Sequence, residues 1–456
     1  MPSNLKSARA GQAGPQSATI QHPHIEIARC AILRPNPRNA RKHPKEQLQK
    51  LAAGISRFGF LIPIIVDEGM MIVAGHGRWE AAKQLGLSEV PVIRASFMTE
   101  ADKQAFALAE NRLAELSEWD EEIVAETLSA LFDEGYELDA TGFETADLDF
   151  MIGDIELSNE KKSKPERVDL PDPGARTVTK EGDLWLIGPY RIYCGDARDP
   201  VSWEILLGDD LATLIFADLP YNLPIDGFVS GNGKVRHREF LFGAGEMDPA
   251  QFTAFIRAIL RNCVRFSVGG AIHYHCMDWR HLRELLDAAE GVYDQFKQLV
   301  VWAKSNGGQG SFYRSRHELI AVFKSGTAKH INNFGLGEKG RYRTNVVEYA
   351  GCNVFRKGRM EDLTAHSTVK PIPLVADFIL DCSNRGDLIV DPCLGSGTTL
   401  LAAHRTKRRG AGIEVDPGYV DTALRRLVAA TGLTPVLARD GRTFDEIAAS
   451  RSEQED

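Results

Sequence analysis

No run of apolar residues in this chain of 456 approaches the length, roughly 18, that a membrane-crossing helix needs. The N-terminus also lacks the charged, apolar and small-residue succession of a secretory leader, so a cytoplasmic protein without membrane partners is the simplest expectation. Cysteine is scarce. The seven, at 30, 194, 263, 276, 352, 382 and 393, include no Cys-x-x-Cys pair, so neither a disulfide framework nor a zinc site is indicated. Positive charge is in deficit, with 54 Lys and Arg against 63 Asp and Glu and a net charge of −9. That argues against a chain coated in nucleic acid. A local patch can still bind DNA, because affinity follows the phosphates contacted and not the overall sum. Internal repeats are absent. What is present, 43% hydrophobic and 26% charged residues, is ordinary globular composition over a length that suits two or three domains.

The most organised stretch runs from Asp387 to Val415. Leu388 to Val390 reads as a buried parallel strand, Gly395 and Gly397 as a tight turn, and Thr398 to His404 as a helix packed back on the sheet. Such a turn lets a ligand approach the backbone closely and aims helix N-terminal N–H groups at it. A second apolar run, Gly410 to Val415, puts Glu414 at a strand end, where a carboxylate can accept two ribose hydroxyls. No Gly-Lys-Ser/Thr follows the turn, and the third glycine of a dinucleotide fingerprint is missing. S-adenosylmethionine (SAM), a nucleoside cofactor without phosphates, needs neither. An ordinary sheet turn is the alternative that this stretch alone leaves open.

Leu214 to Ala217 is another buried-strand run, and it ends in Asp218-Leu219-Pro220-Tyr221-Asn222. The carboxylate of Asp218 and the carbonyl of Leu219 can accept the two hydrogens of an exocyclic amino group, localising the nitrogen lone pair. Tyr221 can stack on a base flipped out of a duplex, and Pro220 stiffens the turn.

These residues resemble the amino-group DNA methyltransferases. Residues 218 to 221 match that family's Asp-Pro-Pro-Tyr box, Asp391 to Gly397 its SAM box, and His366-Ser367-Thr368-Val369-Lys370-Pro371 its His-Pro-Thr-Gln-Lys-Pro box. Catalytic box first and SAM box last is the order of the beta class, and the likeness covers roughly residues 180 to 430. The departures are Leu219 for the first proline, Ser367 and Val369. The resemblance implies an α/β, Rossmann-like, circularly ordered SAM-dependent methyltransferase domain. Its catalytic residues would be Asp218, Leu219, Pro220, Tyr221 and Asn222. SAM would be framed by Asp196 and Ala197 of a Gly-Asp box, His366, Ser367, Lys370, Pro371, Asp391, Cys393, Gly395, Ser396, Gly397, Thr398, Thr399 and Glu414. Adenine N6 is the implied acceptor, because the box begins with Asp and not the Ser common in cytosine-N4 relatives. Double-stranded DNA is the expected partner, with a homodimer the candidate assembly. The function rivals are a cytosine-N4 enzyme, an RNA or protein methyltransferase, and a nucleotide-gated DNA-binding clamp whose methyltransferase half is inactive.

Ahead of this domain, Pro44 to Phe58 reads as an amphipathic helix, Ile62 to Val66 and Met71 to Val73 as strands, Gly77 to Leu85 as a helix, Pro91 to Arg94 as a strand and Ala101 to Leu116 as a long helix. Asn36-Pro37-Arg38-Asn39-Ala40-Arg41, Gly75-His76-Gly77-Arg78-Trp79-Glu80-Ala81-Ala82, Leu87 to Val92 and Glu110-Asn111 resemble the boxes of the ParB-like domain, related to sulfiredoxin. The resemblance implies a smaller α+β domain with CTP or another nucleotide as candidate ligand. Gly77 stands where an arginine is typical, and the reading preferred is a DNA-positioning or protein-contact module. The expected organisation is a disordered tail over 1–24, the ParB-like domain over 25–116, a solvated helical connector over 117–160, a linker over 161–181 and the methyltransferase domain over 182–450.

Basic residues after the catalytic box are candidate DNA contacts: Lys234 and Arg236 in a glycine-rich loop, Lys304 and Arg314 around a second loop, and Arg341, Arg343 and Arg356 within an aperiodic stretch, about 325–362, where beta-class enzymes keep their target-recognition region. His273 and His275 share one face of an expected strand. Methyl transfer from SAM needs no metal, so packing and hydrogen bonding is the preferred reading of that pair.

Overall fold

A computed structural model describes residues 24–95, 99–160, 176–222, 245–304, 313–334, 343–349 and 370–453. The chain divides into two compact units, Met1–Glu144 and Thr145–Asp456. The first contains β1 (Ile25–Arg29), α1 (Lys45–Phe58), β2 (Ile64–Val66), β3 (Ile72–Ala74), α2 (His76–Gln84), β4 (Glu89–Arg94), α3 (Glu100–Ala114) and α4 (Glu121–Asp133). Its sheet runs β1-β4-β2-β3, with β2 and β4 parallel and the two outer pairings antiparallel. Ile64, Val66, Ile72, Trp79, Val90 and Val92 form a small core. Gly77 lies buried against α1, where a side chain would meet His43 and Leu51 at 3.0 Å. That packing is a physical reason for glycine at the position where the ParB-like box has arginine.

The second unit contains α5 (Thr145–Glu160), β5 (Leu184–Ile187), β6 (Tyr190–Cys194), α6 (Pro200–Leu207), β7 (Ala212–Asp218), α7 (Pro249–Arg265), β8 (Ser267–Met277), α8 (Leu282–Ala289), β9 (Gln295–Lys304), β10 (His317–Lys324), β11 (Val346–Tyr349), α9 (Ile372–Cys382), β12 (Leu388–Asp391), α10 (Thr398–Arg405), β13 (Arg409–Glu414), α11 (Pro417–Thr431), β14 (Val436–Leu437) and α12 (Phe444–Glu453). Helix starts are written locally. Asp199, Asp248 and Asp416 each cap a helix whose first residue is proline, the side chain accepting a backbone N–H while proline needs no acceptor for its own nitrogen.

The sheet order is β11-β9-β10-β8-β7-β12-β13-β6-β5-β14. From β8 through β7, β12 and β13 to β6 all pairings are parallel, and the central residues of these strands are buried because both faces are covered. One face buries Trp203, Ile256, Leu260 and Ala411, the other Phe216, Phe378, Ile379 and Ile389. Each fully buried Leu, Ile or Phe contributes roughly 1.5–3 kcal/mol. The cofactor strand β12, late in sequence, sits between β7 and β13, giving the circular order expected. β11 adds an edge strand, parallel to β9, inside the stretch read as aperiodic.

The connector reading changes in one respect. α4 belongs to the first unit and α5 to the second. Asp149 on α5 is not solvated. Its carboxylate is buried between Arg385, 2.6 Å away, and Arg408, 2.7 Å away and fully enclosed.

Candidate active site

Parallel strands present their carboxyl ends along one edge, and ligands of open α/β sheets bind there. Asp218 ends β7 and Asp391 ends the adjacent β12; Glu414 ends β13 beside it. β10 runs antiparallel to β8, so its first residues return to the same edge, Leu319 opposite Met277. β9 ends there too, with Ala303 opposite His317. Topology therefore delivers Lys304 and Glu318 to the catalytic end of the sheet.

Five side chains meet there. Lys370 Nζ is 2.6 Å from Asp218 Oδ2 and 3.0 Å from Glu318 Oε2. Tyr221 donates its hydroxyl to Asp218 Oδ1 at 2.8 Å, accepts from Lys370 at 3.1 Å and lies 3.3 Å from Glu318. Lys304 pairs with the other oxygen of Glu318. Burial alone would lower the Lys370 ammonium, but Asp218 and Glu318 outweigh it and hold it above the usual lysine range. Burial alone would raise Glu318; Lys370 and then Lys304 hold it well below the carboxylate range. The Tyr221 phenol is pushed up by burial and the two carboxylates, so it stays protonated. Each Asp218 oxygen has about two acceptor positions and one is in use, which leaves room for an incoming N–H donor.

Lys370, which the resemblance puts among the groups framing SAM, has its ammonium on Asp218 and Glu318. Lys304, read as a DNA contact, belongs to the same cluster. Glu318 carries no motif signal in the sequence. Leu219 is buried, and Asn222, at a φ of 50°, clasps the next segment by accepting from Gly245 N and donating to Met247 O at 2.8 Å. Pro371 caps α9.

The glycine turn is held from three sides. Gly395 N donates to Glu414 Oε2 at 2.7 Å, while Glu414 Oε1 accepts from Asp416 N at 2.9 Å. Asp391 accepts from Cys393 N at 2.9 Å and from the Thr399 hydroxyl at 2.5 Å. Arg426 of α11, unremarked in the sequence, donates to the carbonyl and hydroxyl of Ser396, with Thr398 Oγ1 at 3.4 Å. Gly397 has a φ of 88°, and a Cβ there would meet Ala423 at 2.9 Å. Burial raises both Asp391 and Glu414 to about 7 and pushes the Cys393 thiol up. A closely approachable turn flanked by two carboxylates short of positive charge fits a ligand carrying ribose hydroxyls and a sulfonium. Asp196 forms a local pair with Arg198, with Nε at 2.9 Å, and the Ala197 carbonyl accepts from Trp203 and Asn262.

The basic residues separate. Arg314 is exposed beside Tyr313 at the start of β10. Arg343 is half-buried, its guanidinium 2.9 Å from Asp377 and 3.0 Å from Asp381, both on α9. Lys234, Arg236, Arg341, Arg356, His366 and Ser367 lie outside the described residues. His273 Nδ1 and His275 Nε2 both meet the Tyr293 hydroxyl, at 2.9 and 2.7 Å, within the core. In the first unit, Asn36 N donates to His76 at 3.1 Å and Arg78 lies 3.8 Å from Glu110, so three of the ParB-like boxes converge.

The fold and this site define a SAM-type α/β methyltransferase domain following a smaller α+β domain. Residues 212–425 match the family model described as DNA methylase, and residues 14–112 the ParB N-terminal domain. The chain carries an amino-group DNA methyltransferase domain, of the N6-adenine or N4-cytosine kind, with a ParB-like domain ahead of it. It is 26% identical over 253 residues to the type II methyltransferase M.HpaI of Haemophilus parainfluenzae, covering 52% of this chain and 74% of that protein. It is 44% identical over 72 residues to the ParB-like nuclease domain-containing protein YnaK of Escherichia coli K12, covering 16% and 83%. The crystal structure of an M1.HpyAVI–SAM complex is similar at 20% identity and a TM-score of 0.39, over 52% of this chain and 98% of that one.

Proposed function

We propose that the protein transfers a methyl group from SAM to the N6 amino group of adenine in double-stranded DNA. The observation that carries this reading is the adjacency of Asp218 and the 395–397 turn on neighbouring parallel strands, β7 and β12. Asp391, Gly395 to Thr399 and Glu414 would hold SAM, which supplies a methyl already activated on a sulfonium. Asp218 and the Leu219 carbonyl accept the two amino hydrogens, turning the nitrogen lone pair toward the methyl. No base is required before attack, because the amino proton becomes acidic only once the nitrogen is alkylated; positioning supplies most of the rate. Tyr221 lines the base side, and Asp196 would face the adenine of SAM. Arg314, with Lys234, Arg236, Arg341 and Arg356, would meet phosphates or base edges. The ParB-like unit serves as a DNA-positioning or protein-contact module.

Labelled SAM and duplex DNA are incubated with the protein and the DNA is digested to nucleosides. The expected product is N6-methyladenine. N4-methylcytosine would move the acceptor to cytosine, and label that survives DNase would exclude DNA as substrate.

A further inference from the structure

Two lysines and two carboxylates close on the methyl-acceptor end of the sheet, yet the proposed chemistry uses only Asp218 directly. Glu318 has only 16% of its side chain exposed and joins the others, one oxygen to Lys304, the second to Lys370 and the Tyr221 hydroxyl. Lys370, with 6% exposed, would otherwise have Asp218 as its single carboxylate partner. An ammonium with a single carboxylate partner in a low-dielectric site concentrates its donors on that partner.

We propose that Glu318 is a positioning residue for the methyl acceptor: by sharing Lys370 and steadying Tyr221 it keeps part of the Asp218 carboxylate open to the amino group of the base. The inference rests on the methyltransferase reading above. Without Glu318 the Lys370 ammonium turns wholly to Asp218 and competes with the amino hydrogens, and Lys304 loses its partner. The effect falls on alignment of the acceptor and not on SAM, whose turn lies on β12 and is held by Glu414, Asp391 and Arg426.

The test compares the full-length protein with Glu318→Gln and Glu318→Asp, measuring methyl incorporation into duplex DNA, SAM affinity by calorimetry and thermal midpoint. Glu318→Gln is expected to lower kcat by about tenfold or more with SAM affinity within about twofold of wild type. Glu318→Asp keeps the charge with a shorter reach and should fall between the two. If the Gln variant does not fold, the Asp variant alone decides, since its kcat should still fall below wild type at an unchanged midpoint. A Gln or Asp variant as fast as wild type overturns the inference. So does a loss of kcat that tracks a loss of SAM affinity. Wild-type protein that transfers no methyl to DNA overturns the methyltransferase reading and this inference with it, whereas active wild type beside an unaffected variant overturns the inference alone.

Discussion

The Lys370 ammonium stands 2.6 Å from the Asp218 carboxylate, although 152 residues separate them in sequence. One closes β7 and the other immediately precedes α9, so the pair ties the catalytic half of the sheet to the segment leading into the cofactor half. Removing Asp218 therefore takes away the acceptor's hydrogen-bond partner and leaves Lys370 with Glu318 and the Tyr221 hydroxyl. Asp218→Ala should reduce methyl incorporation by about 10²- to 10³-fold or more, the scale seen when one preorganised polar group leaves an active site. SAM affinity, measured by calorimetry, should persist, because none of the groups holding the glycine turn is touched. A variant that loses SAM binding together with rate would place Asp218 in the cofactor site.

Asp149 makes a prediction about stability alone. It is the shared partner of Arg385 and the fully enclosed Arg408, whose guanidinium also donates to the Ser383 carbonyl at 2.7 Å. Truncating the carboxylate that two buried guanidiniums share takes away the charge that balances them, a cost of about 3–5 kcal/mol. Asp149→Ala should lower the unfolding free energy of the second unit by about that amount in urea titration. A chain starting at residue 161 should show a comparable loss. Unchanged denaturation midpoints would mean that α5 contributes nothing to the unit with which it packs.

How far the sequence could be read follows from how far apart the partners lie. The strands and helices carrying contiguous signals were legible: Leu388 to Val390, Thr398 to His404 and Gly410 to Val415 fall on the strand Leu388–Asp391, the helix Thr398–Arg405 and the strand Arg409–Glu414, with the glycine turn between the first two. Glu318 was not, because its meeting with Lys304 and Lys370 depends on β10 being inserted antiparallel between β9 and β8, which no local pattern announces. The partners of Arg343 are hidden in the sequence for a related reason. A cation in an aperiodic stretch looks like a surface group until its partners are known. Asp377 and Asp381, four residues apart in the otherwise apolar α9, were the available signal, since two buried acids on one helix face call for a cation.

The His273 and His275 pair yields a third test. Burial, with the neighbouring His275, holds His273 well below the usual histidine range, and burial takes His275 down to about 3. Their folded values are depressed, so the stability each contributes is present above the unfolded value near 6.5 and is lost as pH falls toward the folded one. One hydroxyl, that of Tyr293, serves both rings. Tyr293→Phe should therefore cost about 1–3 kcal/mol at neutral pH, the penalty for buried polar groups left without a partner. Its acid unfolding midpoint should move to higher pH. Thermal unfolding of wild type and variant between about pH 4 and 7 checks both statements; identical curves would show that the hydroxyl is dispensable.

Asp391 and Glu414 give the opposite pH dependence, which makes it separable. Burial raises both carboxyls to about 7, against hydrogen bonds from Thr399 and Cys393 on one and from Asp416 and Gly395 on the other. Unfolded carboxyls titrate near 4, so what these two groups contribute to ligand-free stability is complete below about pH 4 and is lost as pH rises through 7. SAM should shift that balance. Ribose hydroxyls need an open acceptor on Glu414, and a positive sulfonium nearby favours Asp391 as the carboxylate. Binding should then release protons around neutrality, so SAM affinity should rise between about pH 6 and 8. The calorimetric heat should vary with the ionisation enthalpy of the buffer, and Glu414→Gln should flatten both trends while weakening binding. Affinity constant across that interval, with heats independent of buffer, would mean that SAM meets carboxyls whose ionisation it does not change, and the cationic complementarity argued for this turn would be absent.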